Sequence, residues 1–521
     1  MNARVRLALW LLMMIGLNLP GLQAAEETKE KKSPKPKKPE TTQKEDLSVT
    51  KHRATIAGRE IAYTVTAGSL PIKGGDDKKK ASIFFIAYTK DAKKGAGEDR
   101  QRPLTFCFNG GPGSSSVWLH LGMLAPVRVK LNAEPRPTAP PYELVENPYS
   151  LLDKSDLVFV DPVSTGFSRP EEGEKRQQFH GYREDLQSVG EFIRLYTTRN
   201  NRWLSPKFLL GESYGGLRVA GLAEYLQDRF HMEMNGIVLI SAVLDFQTIL
   251  FGATNDLPYV TFFPSYTATA WFHGQLDDKL QASLPKAVAE AEEFALNDYA
   301  LALLKGDALS EKDRESIIAK MSRLTGIDSE TIDEANLRLP MYQFGRELLR
   351  EKGKTVGRFD SRFVGTRGSG SLGHYDPSAS AIFGAFSSTI KDYLRSQLKV
   401  DQEIPYEVIK PLAWNYDDFR NRYVAATDAL ATAIAKNPSL KVFAACGYFD
   451  LATPVLGMKH SLGHLGLPKE LRENFVIETY EAGHMMYVHE PSLKKLKKDL
   501  ARFYDESVGA GKPASETKRA K

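Results

Sequence analysis

The sequence predicts an α/β fold: a mostly parallel central sheet with helices on both faces and a mainly helical insertion. Three observations carry this reading. Six short apolar runs, at 104–108, 157–160, 208–210, 237–240, 442–445 and 475–477, have the continuous hydrophobicity of strands buried on both faces. Helical stripes fall between several of them, as where Val219, Leu222, Ala223 and Leu226 recur at i, i+3, i+4 and i+7. Strands alternating with helices imply a doubly wound sheet. The stretch from about 250 to 400 breaks that rhythm with charged helical patterns at 279–304 and 311–324 and a Gly/Ser-rich patch at 365–373. It reads as a cap inserted between two sheet strands.

The ends are of a different kind. Arg4 and Arg6 precede an apolar run at 7–17, Pro20 and Gly21 break it, and Ala24 and Ala25 offer a cleavage site. The run is about 11 residues, against roughly 20 needed to span a bilayer. Residues 1–25 are therefore expected to be an export signal, leaving no stable membrane anchor and a periplasmic or secreted protein. Residues 26–46, rich in Lys, Glu, Pro and Thr, read as a disordered tether, and 509–521 as a matching tail. The fold proper then runs as core (47–249), insertion (250–400) and core again (401–508). It opens with alternating stretches near 55–66 and 81–88.

Composition excludes some classes. Lys and Arg number 70 against 65 Asp and Glu, and much of the excess sits at the two ends. No basic stripe with interleaved aromatics marks a nucleic-acid surface. The two cysteines, Cys107 and Cys446, cannot build a disulfide framework and fall in apolar runs, where cysteine behaves as a small buried hydrophobe. No H-E-x-x-H or similar ligand spacing is present, so no metal or organic cofactor is expected.

The chemistry gathers at the ends of the predicted strands. Gly211-Glu212-Ser213-Tyr214-Gly215 fits the G-x-S-x-G elbow, in which a sharp strand-to-helix turn presents the serine hydroxyl. The apolar run before it and the helical stripe after it supply the context that this motif needs. A serine hydroxyl needs a base, and the base a carboxylate to orient it. In the α/β-hydrolase fold these follow in the order Ser, Asp, His. Asp450 lies just past the run 442–445, and His484 on the loop after 475–477. His460, His464 and His489 read as surface or packing residues. An acyl-transfer oxyanion needs two backbone N–H donors. Tyr214, directly after the serine, offers one. The loop Asn109-Gly110-Gly111-Pro112-Gly113, following the run 104–108, offers the other at Gly111.

Six blocks in order then resemble the serine carboxypeptidases, and most closely their bacterial branch. They are Asn109-Gly-Gly-Pro-Gly-Ser-Ser-Ser116, Asn147-Pro-Tyr-Ser150, Asp161-Pro-Val-Ser-Thr-Gly-Phe-Ser168, Gly211-Glu-Ser-Tyr-Gly-Gly216, Gly447-Tyr-Phe-Asp450 and Gly483-His-Met485. The resemblance implies release of C-terminal amino acids from peptides through an acyl-enzyme. It implies Ser213, Asp450 and His484 as the triad, and Gly111 and Tyr214 as oxyanion donors. Asn109, the Gly110 backbone and Glu212 would hold the substrate's terminal carboxylate. Three positions depart from the family pattern. Cys107 replaces a tryptophan, Ser114 replaces a cysteine, and Met123 stands where a second glutamate usually shares a proton with the first. Without that partner, Glu212 is expected to ionise more easily and carboxylate selectivity to weaken. An esterase or acyltransferase on the same scaffold is the alternative, and a non-catalytic binding protein a third.

Overall fold

The fold is described from a computed structural model, over residues 47–92, 101–368 and 375–509. The expected export signal, the tether, the end of the Gly/Ser-rich patch and the tail beyond Gly509 lie outside the described residues.

Nine strands make the long path of the sheet: β1 (Ser48–Ile56), β2 (Arg59–Lys73), β3 (Lys79–Lys90), β4 (Leu104–Phe108), β5 (Asp156–Val160), β6 (Lys207–Glu212), β7 (Gly236–Ile240), β8 (Lys441–Gly447) and β9 (Phe475–Tyr480). Their spatial order is 1-2-3-5-4-6-7-8-9, and the short strand Arg169–Pro170 pairs with β3 beside this path. The first three strands are antiparallel to their neighbours, and every pairing from β5 to β9 is parallel. All six apolar runs are strands. The stretch at 55–66 instead spans a hairpin, because Ala57 and Gly58 both take positive φ (48° and 75°) and turn the chain between β1 and β2.

Two apolar layers flank the sheet, as the pleat requires. From β4, Leu104, Phe106 and Phe108 face a layer with α1 (Tyr182–Arg199), α2 (Tyr214–Phe230) and the helix Thr427–Lys436. Cys107 points the other way, with Phe208 and Phe443, toward the C-terminal helix Glu490–Gly509. Val219, Leu222, Ala223 and Leu226 all lie buried on α2. Both cysteines are free and buried. Of the six apolar runs, only that of β9 departs from full burial, since it forms an edge of the sheet and leaves Ile477 37% exposed.

Between β7 and β8 the chain builds a helical body with its own apolar cluster. There Tyr266 of α3 (Leu257–Phe272) stacks on Phe344 with ring centroids 4.1 Å apart. Leu451 and Leu456, from just beyond β8, join the same cluster. The later helix α4 (Pro377–Asp392) packs differently. Its Ala381, Ile382, Ala385 and Phe386 share the sheet's own layer, with Phe386 against Trp118 at 5.0 Å.

The parallel register sets the site. Phe108 pairs with Gly211, Glu212 with Ile240, Ile240 with Ala445, and Gly447 with Tyr480. The carboxyl ends of β4, β6, β8 and β9 therefore stop on one edge. Asn109, Ser213, Asp450 and His484 come from the loops that leave it, where open α/β sheets place their chemistry.

Candidate active site

Ser213 stands at the turn between β6 and α2 with φ 60° and ψ −126°, a conformation that costs a side-chain-bearing residue about 1–3 kcal/mol. Backbone bonds hold it there: Ser213 N–H donates to Ile240 O at 3.1 Å, and its own carbonyl accepts from Gly216 N (2.9 Å) and Val243 N (3.2 Å). The doubling back leaves no room for a β-carbon at Gly211, which would lie 2.1 Å from Gly215 O. This is the strained elbow that the motif predicts.

Asp450 and His484 meet from the loops beyond β8 and β9. His484 Nδ1 lies 2.8 Å from Asp450 Oδ2, with the two residues 3% and 0% exposed. Asp450 Oδ1 accepts from Ala452 N (2.7 Å) and Thr453 N (2.9 Å), and Thr453 Oγ1 sits 2.7 Å from Oδ2. With Nδ1 donating to the carboxylate, the imidazole's lone pair is left on Nε2. Burial works against the charged imidazole, but Asp450, with help from Glu212, outweighs it and holds the His484 pKa above its ordinary value. Among the described residues the Ser213 hydroxyl has no hydrogen-bond partner, so its link to the imidazole is open here. Such catalytic hydrogen bonds often tighten only when substrate is bound.

The glycine loop lies against the elbow. A β-carbon on Gly110 would fall 2.5 Å from Tyr214 N and 2.9 Å from Ser213 Cβ. Gly111 has φ 104°, and Ser114 N closes the loop onto Gly110 O at 3.2 Å. The loop thus packs at Gly110 against the backbone of the elbow. Asn109 is buried, and its Oδ1 accepts from Leu119 N at 3.1 Å.

Glu212 has a raised pKa although no second glutamate stands beside it. Burial pushes its pKa up to about 7, against the smaller opposing pulls of His484 and of a hydrogen bond from Tyr487. Desolvation thus keeps Glu212 hard to ionise with Met123 in place of a second glutamate. Met123 lies in the apolar layer, and Tyr487 reaches Glu212 across the neighbouring Gly122. The Tyr487 hydroxyl donates to Glu212 Oε2 at 2.7 Å, and a β-carbon on Gly122 would lie 2.4 Å from the Tyr487 ring.

Sequence reading missed three supports. Tyr487 is one, and the Gly483-His-Met block three residues upstream was the only signal near it. The second is Arg218 on α2, fully buried, whose guanidinium bonds Asp185 at 2.7 Å and the Asn109 carbonyl at 2.6 Å beneath the elbow. The third is the segment 358–362 of the insertion, which runs between the Asp450 and His484 loops. Leu451 N donates to Arg358 O (3.0 Å), Ser361 N to Phe449 O (3.0 Å), His484 N to Phe359 O (2.6 Å) and Gly483 N to Asp360 Oδ2 (3.2 Å). The Phe359 ring lies 5.2 Å from the imidazole, and Asp360 is itself held by Arg362 at 2.6 Å. His460 and His464 stack on each other at 3.9 Å, and His489 bonds Ser492 at 2.8 Å, so these three have other employment.

The family profile described as serine carboxypeptidase matches residues 63–495, most of the chain. The chain belongs to the serine carboxypeptidase family. It is 32% identical over 161 residues to the pheromone-processing carboxypeptidase KEX1 of Saccharomyces cerevisiae, covering 29% of this chain and 20% of that protein. It is 27% identical over 259 residues to serine carboxypeptidase-like 44 of Arabidopsis thaliana, covering 46% of this chain and 45% of the relative. The chain therefore spans less than half the length of either relative. The crystal structure of the yeast Kex1 prohormone-processing carboxypeptidase superposes with a TM-score of 0.51 at 17% identity, covering 85% of this chain and 91% of that one. At that identity the likeness speaks for the α/β-hydrolase fold shared by family members. The relatives named are from yeast and a plant, so a place in the bacterial branch rests on the motifs alone.

Proposed function

We propose that this protein is a serine-type carboxypeptidase that works through Ser213, His484 and Asp450. The observation that carries the reading is the buried hydrogen bond from His484 Nδ1 to Asp450, set beside a serine in the strained elbow. His484 Nε2 takes the Ser213 proton as Oγ attacks the scissile carbonyl. The backbone N–H groups of Gly111 and Tyr214 receive the oxyanion. The imidazolium, stabilised by Asp450, then gives its proton to the leaving amine. A water activated by the same imidazole releases the acyl group.

Glu212 supports the choice of a C-terminal bond. A carboxyl pushed up to about 7 by burial is protonated below neutrality, so it can donate a hydrogen bond to a substrate carboxylate instead of repelling it. The Gly110 backbone lies against Glu212 O and Ser213 Cβ, and Asn109 precedes it in the same loop. The peptide's free carboxylate would be held there, one residue beyond the scissile bond. The leader-like pattern at 1–25 supports action outside the cytoplasm; among the described residues no helix is long and apolar enough to cross a membrane.

The test is a peptide mixture read by mass spectrometry, with each peptide present as free acid and as C-terminal amide. Residues should leave one at a time from the free-acid ends, and Ser213→Ala should abolish both this release and labelling by a fluorophosphonate. Equal cleavage of acids and amides would refute carboxylate-dependent recognition. Turnover of acyl esters without peptides would move the reading to an esterase.

A further inference from the structure

The motif block from Asp161 to Ser168 has no part in the chemistry proposed above, but it is bonded to the glycine loop. Asp161 is the first residue beyond β5, on the sheet edge that carries the site. Its backbone is pinned: Asp161 N donates to Phe84 O at 3.0 Å, and its carbonyl accepts from Ser168 Oγ. The side chain is buried and reaches the glycine loop, where Oδ1 accepts from Ser116 N and from Ser116 Oγ, both at 2.8 Å. The segment 407–410 joins the two loops a second time. Gly166 N donates to Glu407 O (2.8 Å) and Glu407 N to Gly166 O (3.0 Å), while Ser115 N donates to Val408 O (3.0 Å) and Lys410 N to Gly113 O (2.9 Å).

These ties lie just past Gly111, the proposed oxyanion donor. Gly111 has φ 104° and no side chain, so no packing of its own can fix the direction of its N–H. An oxyanion donor is effective only when that direction is set before the reaction. Upstream, Gly110 is fixed against Tyr214 N and Ser213 Cβ; downstream, the anchor is Ser116 on Asp161. A neutral amide could tie a loop without burying a carboxylate. Asp161 Oδ2 is buried with no hydrogen-bond partner among the described residues, and a β-carbon on Gly166 would collide with it. Burial pushes the Asp161 pKa up to about 6, against the pull of the Ser116 bonds. A buried carboxylate is poor value for stability alone, but as an acceptor it makes shorter and stiffer hydrogen bonds than an amide.

We propose that Asp161 is a positioning residue for the oxyanion site, fixing the glycine loop through Ser116 so that the Gly111 N–H keeps the direction the oxyanion requires. The proposal rests on the Ser213 mechanism and adds to it a residue outside the triad.

The test measures kcat and KM for a free-acid peptide, together with the rate of inactivation by a fluorophosphonate, which needs Ser213 and the oxyanion donors but no terminal carboxylate. In Asp161→Ala both kcat and the inactivation rate should fall about 10²-fold, with KM changed less than about threefold, because the loss is felt in the transition state. Asp161→Asn keeps an oxygen toward Ser116 and should recover to within about tenfold of the native rates. Ser116→Ala removes one of the two bonds and should lower kcat about threefold; added to Asp161→Ala it should lower it no further. Urea unfolding shows which variants are folded. Native rates in folded Asp161→Ala would overturn the proposal, as would a loss confined to KM, or Asp161 and Ser116 effects that multiply independently. Where Asp161→Ala fails to fold, Asp161→Asn and Ser116→Ala decide, and native rates in both overturn it. Release of no residue by a native protein that still reacts with the fluorophosphonate would refute the carboxypeptidase reading, and the inactivation rates would then decide the role of Asp161.

Discussion

Replacing Glu212 by Gln would measure how far burial governs the site. The carboxyl's pKa is raised from 4.5 to about 7, chiefly because burial penalises its charge. The folded protein therefore holds this proton more tightly than the unfolded chain does. The resulting stabilisation is fully present below about pH 4.5 and is lost as pH rises through about 7. A shift of that size corresponds to about 3 kcal/mol, of which about 2.5 kcal/mol falls between pH 5 and pH 8. Since the side chain is almost wholly buried, solvent screening reduces this little. Glutamine cannot titrate, so urea unfolding of the two proteins across this range should show the variant gaining about 2.5 kcal/mol relative to the wild type, with m unchanged. Glu212 and His484 act on each other, so the window belongs to the pair. A difference in stability constant to within about 0.5 kcal/mol from pH 5 to pH 8 would refute the claim that Glu212 is held protonated.

Three further outcomes follow from the same geometry. Tyr487→Phe removes the hydroxyl bonded to Glu212 and should cost about 1–3 kcal/mol in urea unfolding. Because that hydroxyl lowers the Glu212 pKa, its loss should also move the alkaline rise in KM for free-acid peptides to higher pH. Asp450→Asn keeps the shape but offers His484 the wrong hydrogen-bonding partner, so kcat should fall about 10⁴-fold in a protein that still folds. Finally, the base must be neutral to take the serine proton, and Asp450 raises the His484 pKa. The acid limb of kcat/KM should therefore lie above the ordinary histidine value of 6.5, with activity growing as pH rises through it.

The sheet and the elbow were legible because their signals are local. A strand buried on both faces must be apolar throughout, and a turn as tight as that at Ser213 must have glycine at Gly211 and Gly215, whatever surrounds it. Asp450 and His484 could be read from the ends of strands for the same reason. What the sequence hides are contacts whose partners lie far apart along the chain. Tyr487 meets Glu212 across 275 positions, and nothing in the spacing of either announces the other. Nor does the sequence show how deeply Glu212 is buried, which is what raises its pKa. The hairpin at Ala57 escaped because alternation continues through the turn, and only the positive φ of Ala57 and Gly58 separates the two strands.

The candidate catalytic groups are held by two different parts of the molecule. The sheet edge and its glycine loop fix Ser213 and the proposed N–H donors, and they do so mostly through backbone that tolerates no β-carbon. The imidazole is held by the insertion: His484 N and Gly483 N both bond into 358–362, and the Asp450 loop is tied to the same segment at Leu451 and Phe449. A change there should therefore alter how basic His484 is. Arg358 lowers the His484 pKa, so Arg358→Gln should shift the acid limb of kcat/KM upward. An acid limb unmoved in that variant would mean that this segment does not tune the imidazole.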